Sequence, residues 1–82
     1  MQVKPLRSDL RKYLLKRGLI RKFEKQIDIF LENEHHPSLH TEALRPKQLR
    51  IYSFRIDRQY RAIFIILATG IAEIVDINNH YQ

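Results

Sequence analysis

The chain has no cysteine. That excludes a disulfide framework and any zinc site built on thiolates. It also lacks a long apolar run. The longest, A-I-F-I-I-L-A at 62–68, is strand-sized, far short of the ~18 residues needed to cross a bilayer. The opening Met-Gln-Val-Lys-Pro carries no apolar signal-peptide core. The expectation is therefore a soluble, cytoplasmic protein that does not enter a membrane. Repeats and low-complexity tracts are absent too. Acidic residues are scarce at the start: in residues 1–25 only Asp9 and Glu24 face nine Lys and Arg, a net of +7. The remainder carries −1, giving +6 for the chain. A basic half of this kind suits a polyanion or an acidic protein partner, and it equally suits a solvated helix surface. An apolar share of 44% argues against disorder. The 82 residues read as one domain, 1–82, with a small core that gains from a stabilising partner.

Apolar spacing gives the layout. Residues 1–4 read as a short edge strand ended by Pro5. Leu6, Leu10, Tyr13 and Leu14 recur at helical spacing, with Ser8 or Asp9 as the N-cap and Gly18 as a left-handed stop. Leu19, Phe23, Ile27 and Leu31 make the stripe of a second helix, widened by Ile20 and Phe30. The tight junction at Gly18 implies a helical hairpin. A connector, 33–47, follows with Pro37, Pro46, three histidines and Glu42, and a turn of helix fits near 38–44. The connector is long for a loop in a compact domain, and loops of that length are often functional. Three strands, 50–57, 60–67 and 71–78, then form an antiparallel meander on which the hairpin packs. The fold class expected is α+β, a two-helix hairpin on a small twisted antiparallel sheet. Thr69-Gly70 makes the second turn. The first turn, Asp57-Arg58-Gln59, has no glycine. A three-residue loop there pairs Ile56 with Tyr60 and puts Tyr52, Phe54, Ile56, Tyr60, Ala62, Phe64 and Ile66 on the helix side. Ser53, Arg55, Arg61, Ile63 and Ile65 then share the other face. A two-residue loop would divide the arginines between faces. The first register gathers the apolar side chains and is preferred.

Two arginines inside an apolar meander need a reason, because a desolvated charge is costly unless paired or used. Arg61 has a structural reading, an ion pair with Asp76 or Glu73 on the next strand. Groups able to move protons are few: Glu42, the histidines and the tyrosines. Around them stand Arg45, Lys47, Arg55 and Arg61. His36 and His40 have a metal-like spacing, but no carboxylate completes the set, so no metal and no cofactor is expected. Acid–base groups among fixed cations suit metal-free cleavage of RNA by its own 2′-hydroxyl. That reaction needs a base, a donor to the leaving 5′-oxygen and guanidinium charge at the phosphorane.

The runs H-P-S-L-H-T-E-A-L, L-R-I-Y-S-F-R-I-D-R-Q-Y-R-A-I-F and I-V-D-I-N-N-H-Y resemble the RelE/ParE superfamily of toxins from type II toxin–antitoxin modules. S-x-R-I followed by Y-R-x-I-F is the most specific part. The YoeB-like branch, ribosome-dependent mRNA endoribonucleases, looks most similar. The resemblance implies Glu42 as base, His80 as general acid and Arg61 as the transition-state cation. Tyr81 would stack on or orient a substrate base, and Arg45, Lys47 or Arg55 would hold backbone phosphate. It also implies an antitoxin partner in a hetero-oligomer, and the ribosome with its mRNA as target. ParE-like relatives keep the fold and instead poison DNA gyrase. An inactive relative is the third reading.

Overall fold

The computed structural model describes residues 1–79. Helix α1 (Ser8–Lys16) buries Leu10 and Leu14, the apolar pair its spacing singled out. Neither Ser8 nor Asp9 caps it. Arg7 takes the N-cap position, and no side chain bonds the first turn. Asp9 instead lies inside that turn and meets Arg7 through two hydrogen bonds of 3.0 and 2.9 Å. The carboxylate still complements the positive helix end. At the other end Gly18 adopts φ +67°, and its N–H donates to Leu15 O while Leu19 N–H donates to Leu14 O. This is a Schellman stop, sealed by the buried pair Leu14 and Leu19.

Helix α2 (Ile20–Glu32) starts at once. Its inward stripe is Leu19, Phe23, Gln26 and Phe30, rather than Leu19, Phe23, Ile27 and Leu31. Ile27 is half-buried and Leu31 exposed. The difference is one of phase: positions spaced by four drift off a 3.6-residue turn, and mixed spacings of three and four stay on it. Phe30 stacks on Phe54 with ring centroids 5.3 Å apart and meets the edge of Phe64 at 5.0 Å. These rings join helix to sheet.

The connector is more ordered than a loop. Pro37–Leu39 forms one 3-10 turn and Lys47–Leu49 another. Between them lies a short strand, β1 (Glu42–Ala43), that the apolar pattern did not reveal. Two residues are too few to show a period. The sheet therefore has four strands in the order β1-β2-β3-β4, all antiparallel, with β2 (Ile51–Arg55), β3 (Tyr60–Ile66) and β4 (Ala72–Asn79). The expected N-terminal edge strand is a single parallel bridge, Val3 to Ala72. Pro5 has no N–H with which to extend it.

Register follows the three-residue loop. Arg55 pairs with Arg61, and Ile56 N–H donates to Tyr60 O at 2.9 Å. Asp57 supplies what a glycine-free turn needs: its Oδ1 accepts from Gln59 N–H and Tyr60 N–H, both at 2.8 Å. In β4 the pairing shifts between Ile63 and Phe64, leaving Val75 as an extra residue. That bulge lets Ile74 and Ile77 both face the core, although three residues apart, at 3% and 6% exposure.

Candidate functional site

The face of the sheet turned away from the helices carries the polar groups. Register aligns them in rows. Glu42 lies opposite Ser53, which lies opposite Ile63 and then Asp76. In the next row Arg55 lies opposite Arg61, which lies opposite Asn78. Residues directly opposite share a face, so Glu42, Ser53, Arg55 and Arg61 are gathered on one surface. β1 delivers Glu42 there, in a strand rather than in a loop.

Arg61 is only 5% exposed. Its Nε donates to Ser53 Oγ at 2.9 Å, and its Nη2 donates to Ser53 O at 3.3 Å and to His40 O. The structural alternative for Arg61 is an ion pair with Asp76 or Glu73. The structure does not make it. The β4 register sets Asn78 opposite Arg61 and moves Asp76 to the row of Ile63. Among the described residues no carboxylate pairs with Arg61. Burial lowers the guanidinium's pKa from its ordinary value; the Glu42 charge opposes that shift, and Arg55 adds to it. Arginine remains a cation under such pressure. The result is a buried positive charge held by neutral oxygens.

Arg55 stands beside it, half-buried, with no side-chain ion pair or hydrogen bond to a described residue. Like charges directly opposite are unfavourable by themselves. Two such cations, with Glu42 the one carboxylate acting on Arg61 among the described residues, make a locus for an anion. Arg45 and Lys47 are exposed on the loop after β1, where with Pro46 and Gln48 they line a shallow open depression. Glu42 is exposed as well. His80 and Tyr81 lie outside the described residues. His36 Nδ1 accepts from Ser38 N–H at 3.1 Å, and His40 ends the first 3-10 turn with φ +43°. Among the described residues no three metal-ligating side chains cluster. An apolar pocket of about 230 Å³ opens elsewhere, on the helix side, among Phe30, Tyr52, Phe64 and Ile66.

Two participants were missed from sequence. Ser53 is the acceptor that fixes Arg61, and the signal was its place on the arginine face. Gln26 is buried at 7% exposure, and its Nε2 donates to Arg55 O at 2.7 Å and Ser38 O at 3.2 Å. A polar residue in phase with Leu19, Phe23 and Phe30 was the available sign.

No protein-family model and no curated protein matches the chain. Among the described residues no helix is long and apolar enough to cross a membrane. A solved structure, the YoeB/ParE toxin from Agrobacterium tumefaciens, superposes with a TM-score of 0.72. The match covers 99% of this chain and 100% of that one, at 16% sequence identity. At so low an identity it is the backbone that is shared: this chain has the YoeB/ParE toxin fold.

Proposed function

We propose that the chain is the toxin of a type II toxin–antitoxin pair and cuts mRNA on the ribosome, in the cytoplasm, without a metal. The observation that carries this reading is the buried Arg61 cation, held by neutral oxygens and set beside Arg55 and Glu42 on the open face of the sheet. The fold shared with a YoeB/ParE toxin supports it. Glu42 takes the proton of the RNA 2′-hydroxyl, which attacks the adjacent phosphorus. The 5′-oxygen bond breaks, and His80 protonates the departing oxygen. This leaves a 2′,3′-cyclic phosphate and a free 5′-hydroxyl. Arg61 and Arg55 stabilise the charge that grows on the phosphorane. Tyr81 stacks on a substrate base, and Arg45 and Lys47 hold the backbone on either side. The antitoxin is a short protein with an acidic segment for the basic hairpin.

The test is a translating extract given purified protein, with mRNA ends mapped afterwards. Cuts that appear only on translated message, and that Glu42→Gln and His80→Ala abolish, are expected. Intact message, or undiminished cutting by both variants, removes the reading. A second reading has its own support. The hydrogen bonds of Arg61 serve the scaffold whether or not RNA is cut, so the same residues fit a non-enzymatic gyrase inhibitor. Supercoiling blocked equally by wild type and Glu42→Gln would favour that one.

A further inference from the structure

We infer that Gln26, in the middle of α2, is a positioning residue for Glu42. Glu42 follows closely on the run Ser38-Leu39-His40, and that run is gripped at each residue. Leu39 is fully buried in the core. Ser38 O accepts from Gln26 Nε2, on the helix side of the sheet. His40 O accepts from Arg61 Nη2, on the open face. The connector is thus held from both faces at once, with an apolar anchor between the two grips.

Gln26 does more than satisfy a carbonyl. Its amide nitrogen has two N–H groups, and they fork between Ser38 O and Arg55 O at 3.2 and 2.7 Å. Arg55 O lies at the end of β2, on the residue that pairs with Arg61 across the sheet. One side chain therefore sets the spacing between the segment that delivers Glu42 and the strand that delivers Arg55. A residue present only for packing would be apolar, like Phe23 and Phe30 on the same stripe. Ser38 Oγ is buried and has no hydrogen-bond partner among the described residues, so the backbone bonds carry the contacts that hold this turn.

The catalytic consequence rests on the reading of Glu42 as base; the positional claim does not. Amide hydrogen exchange on the full chain separates them. Gln26→Met keeps the length of the side chain and removes both donors. Losing two hydrogen bonds of ordinary strength should speed exchange about tenfold at the Leu44 amide, which donates to Ile51 O, and at the His40 amide, which donates to Pro37 O. The Ala72 amide, at the far edge of the sheet, should keep its rate relative to an Ile77→Val control of similar stability. Arg61→Lys, which keeps the charge and loses the fork, should loosen the same two amides. If Gln26→Met leaves them at wild-type rates, or speeds Ala72 equally, Gln26 does not position the connector. Selective loosening by Arg61→Lys alone also overturns the inference, because the helix-side grip would then be dispensable. In the cleavage assay Gln26→Met should lower kcat and leave KM for mRNA in place. Selective exchange together with no cutting by wild type upholds the positional claim and removes the nuclease reading instead.

Discussion

Arg61 combines two demands that mutagenesis must separate. Its guanidinium ties Ser53 and His40 together as well as charging the open face. Arg61→Ala takes the donor from the buried Ser53 Oγ, frees His40 O and empties a buried side-chain volume, which together cost about 2–4 kcal/mol. A loss of activity in that variant is therefore ambiguous until a urea midpoint accompanies it. Arg55 is the cleaner probe of charge, because no side-chain contact with a described residue depends on it. Arg55→Gln should leave the urea midpoint nearly unchanged and weaken RNA cleavage. Unchanged cleavage would take Arg55 out of the phosphate contact. Asp57 is a different case, a carboxylate whose work is structural. Burial pushes its pKa up, but the Gln59 and Tyr60 N–H groups, then Lys22, outweigh burial and hold it below the ordinary value. A carboxyl depressed in the folded state adds stability above its unfolded pKa, and that stability is lost as pH falls through the folded value. The stability gap between wild type and Asp57→Ala should hold at neutral pH and shrink below about pH 4. A gap that does not vary with pH would mean the turn does not depend on the ionised carboxylate.

The helical hairpin depends on one backbone conformation. Gly18 sits at φ +67°, and a Cβ there would meet nothing within 4 Å. Gly18→Ala therefore tests conformation alone, free of any steric clash. It should cost about 1–2 kcal/mol, the usual penalty for an L-residue in the left-handed region. Gly18→Asn should cost less and Gly18→Val more, read as shifts in thermal midpoint. Equal midpoints in all three would mean that Leu14 and Leu19 hold the corner without the glycine. Gly18 was legible in the sequence because glycine at the end of an apolar period has one main use. The β2–β3 register was legible for a related reason: only one loop length gathers Tyr52, Phe54, Ile56, Ala62 and Phe64 on one face. β1 was not legible, since two residues between 3-10 turns show no period. Its pairing depends on the long-range contact with β2. The phase of α2 was misjudged by spacing apolar positions four apart, and Gln26 was hidden because its partners are carbonyls of remote segments. At the site, the shared face of Arg55 and Arg61 followed from alternation. The acceptors of Arg61 did not, because they depend on where the connector folds back.

Across the whole molecule, charge and polar site divide between two layers. The hairpin exposes Arg11, Lys12, Lys16, Arg21 and Lys25, none in an ion pair among the described residues. Arg17 stacks over the Tyr13 ring at 3.6 Å, and Lys22 is drawn to Asp57. The sheet layer, by contrast, carries acidic groups among its cations. Under the proposed function, long-range attraction for a polyanion would belong to the helices, and orientation of a single phosphate to the open face of the sheet. The two should separate experimentally. On single-stranded RNA each neutralised phosphate contributes roughly 0.7 to the slope of log K against log salt. Replacing Lys12, Lys16, Arg21 and Lys25 together with glutamine should flatten that slope and weaken binding for every RNA sequence alike. Arg45→Gln with Lys47→Gln should change the slope less and shift where the message is cut. A hairpin variant with an unaltered slope would place RNA elsewhere. The free basic surface would then be the face that an acidic partner covers, and a synthetic acidic peptide should bind wild type and lose its hold on the variant.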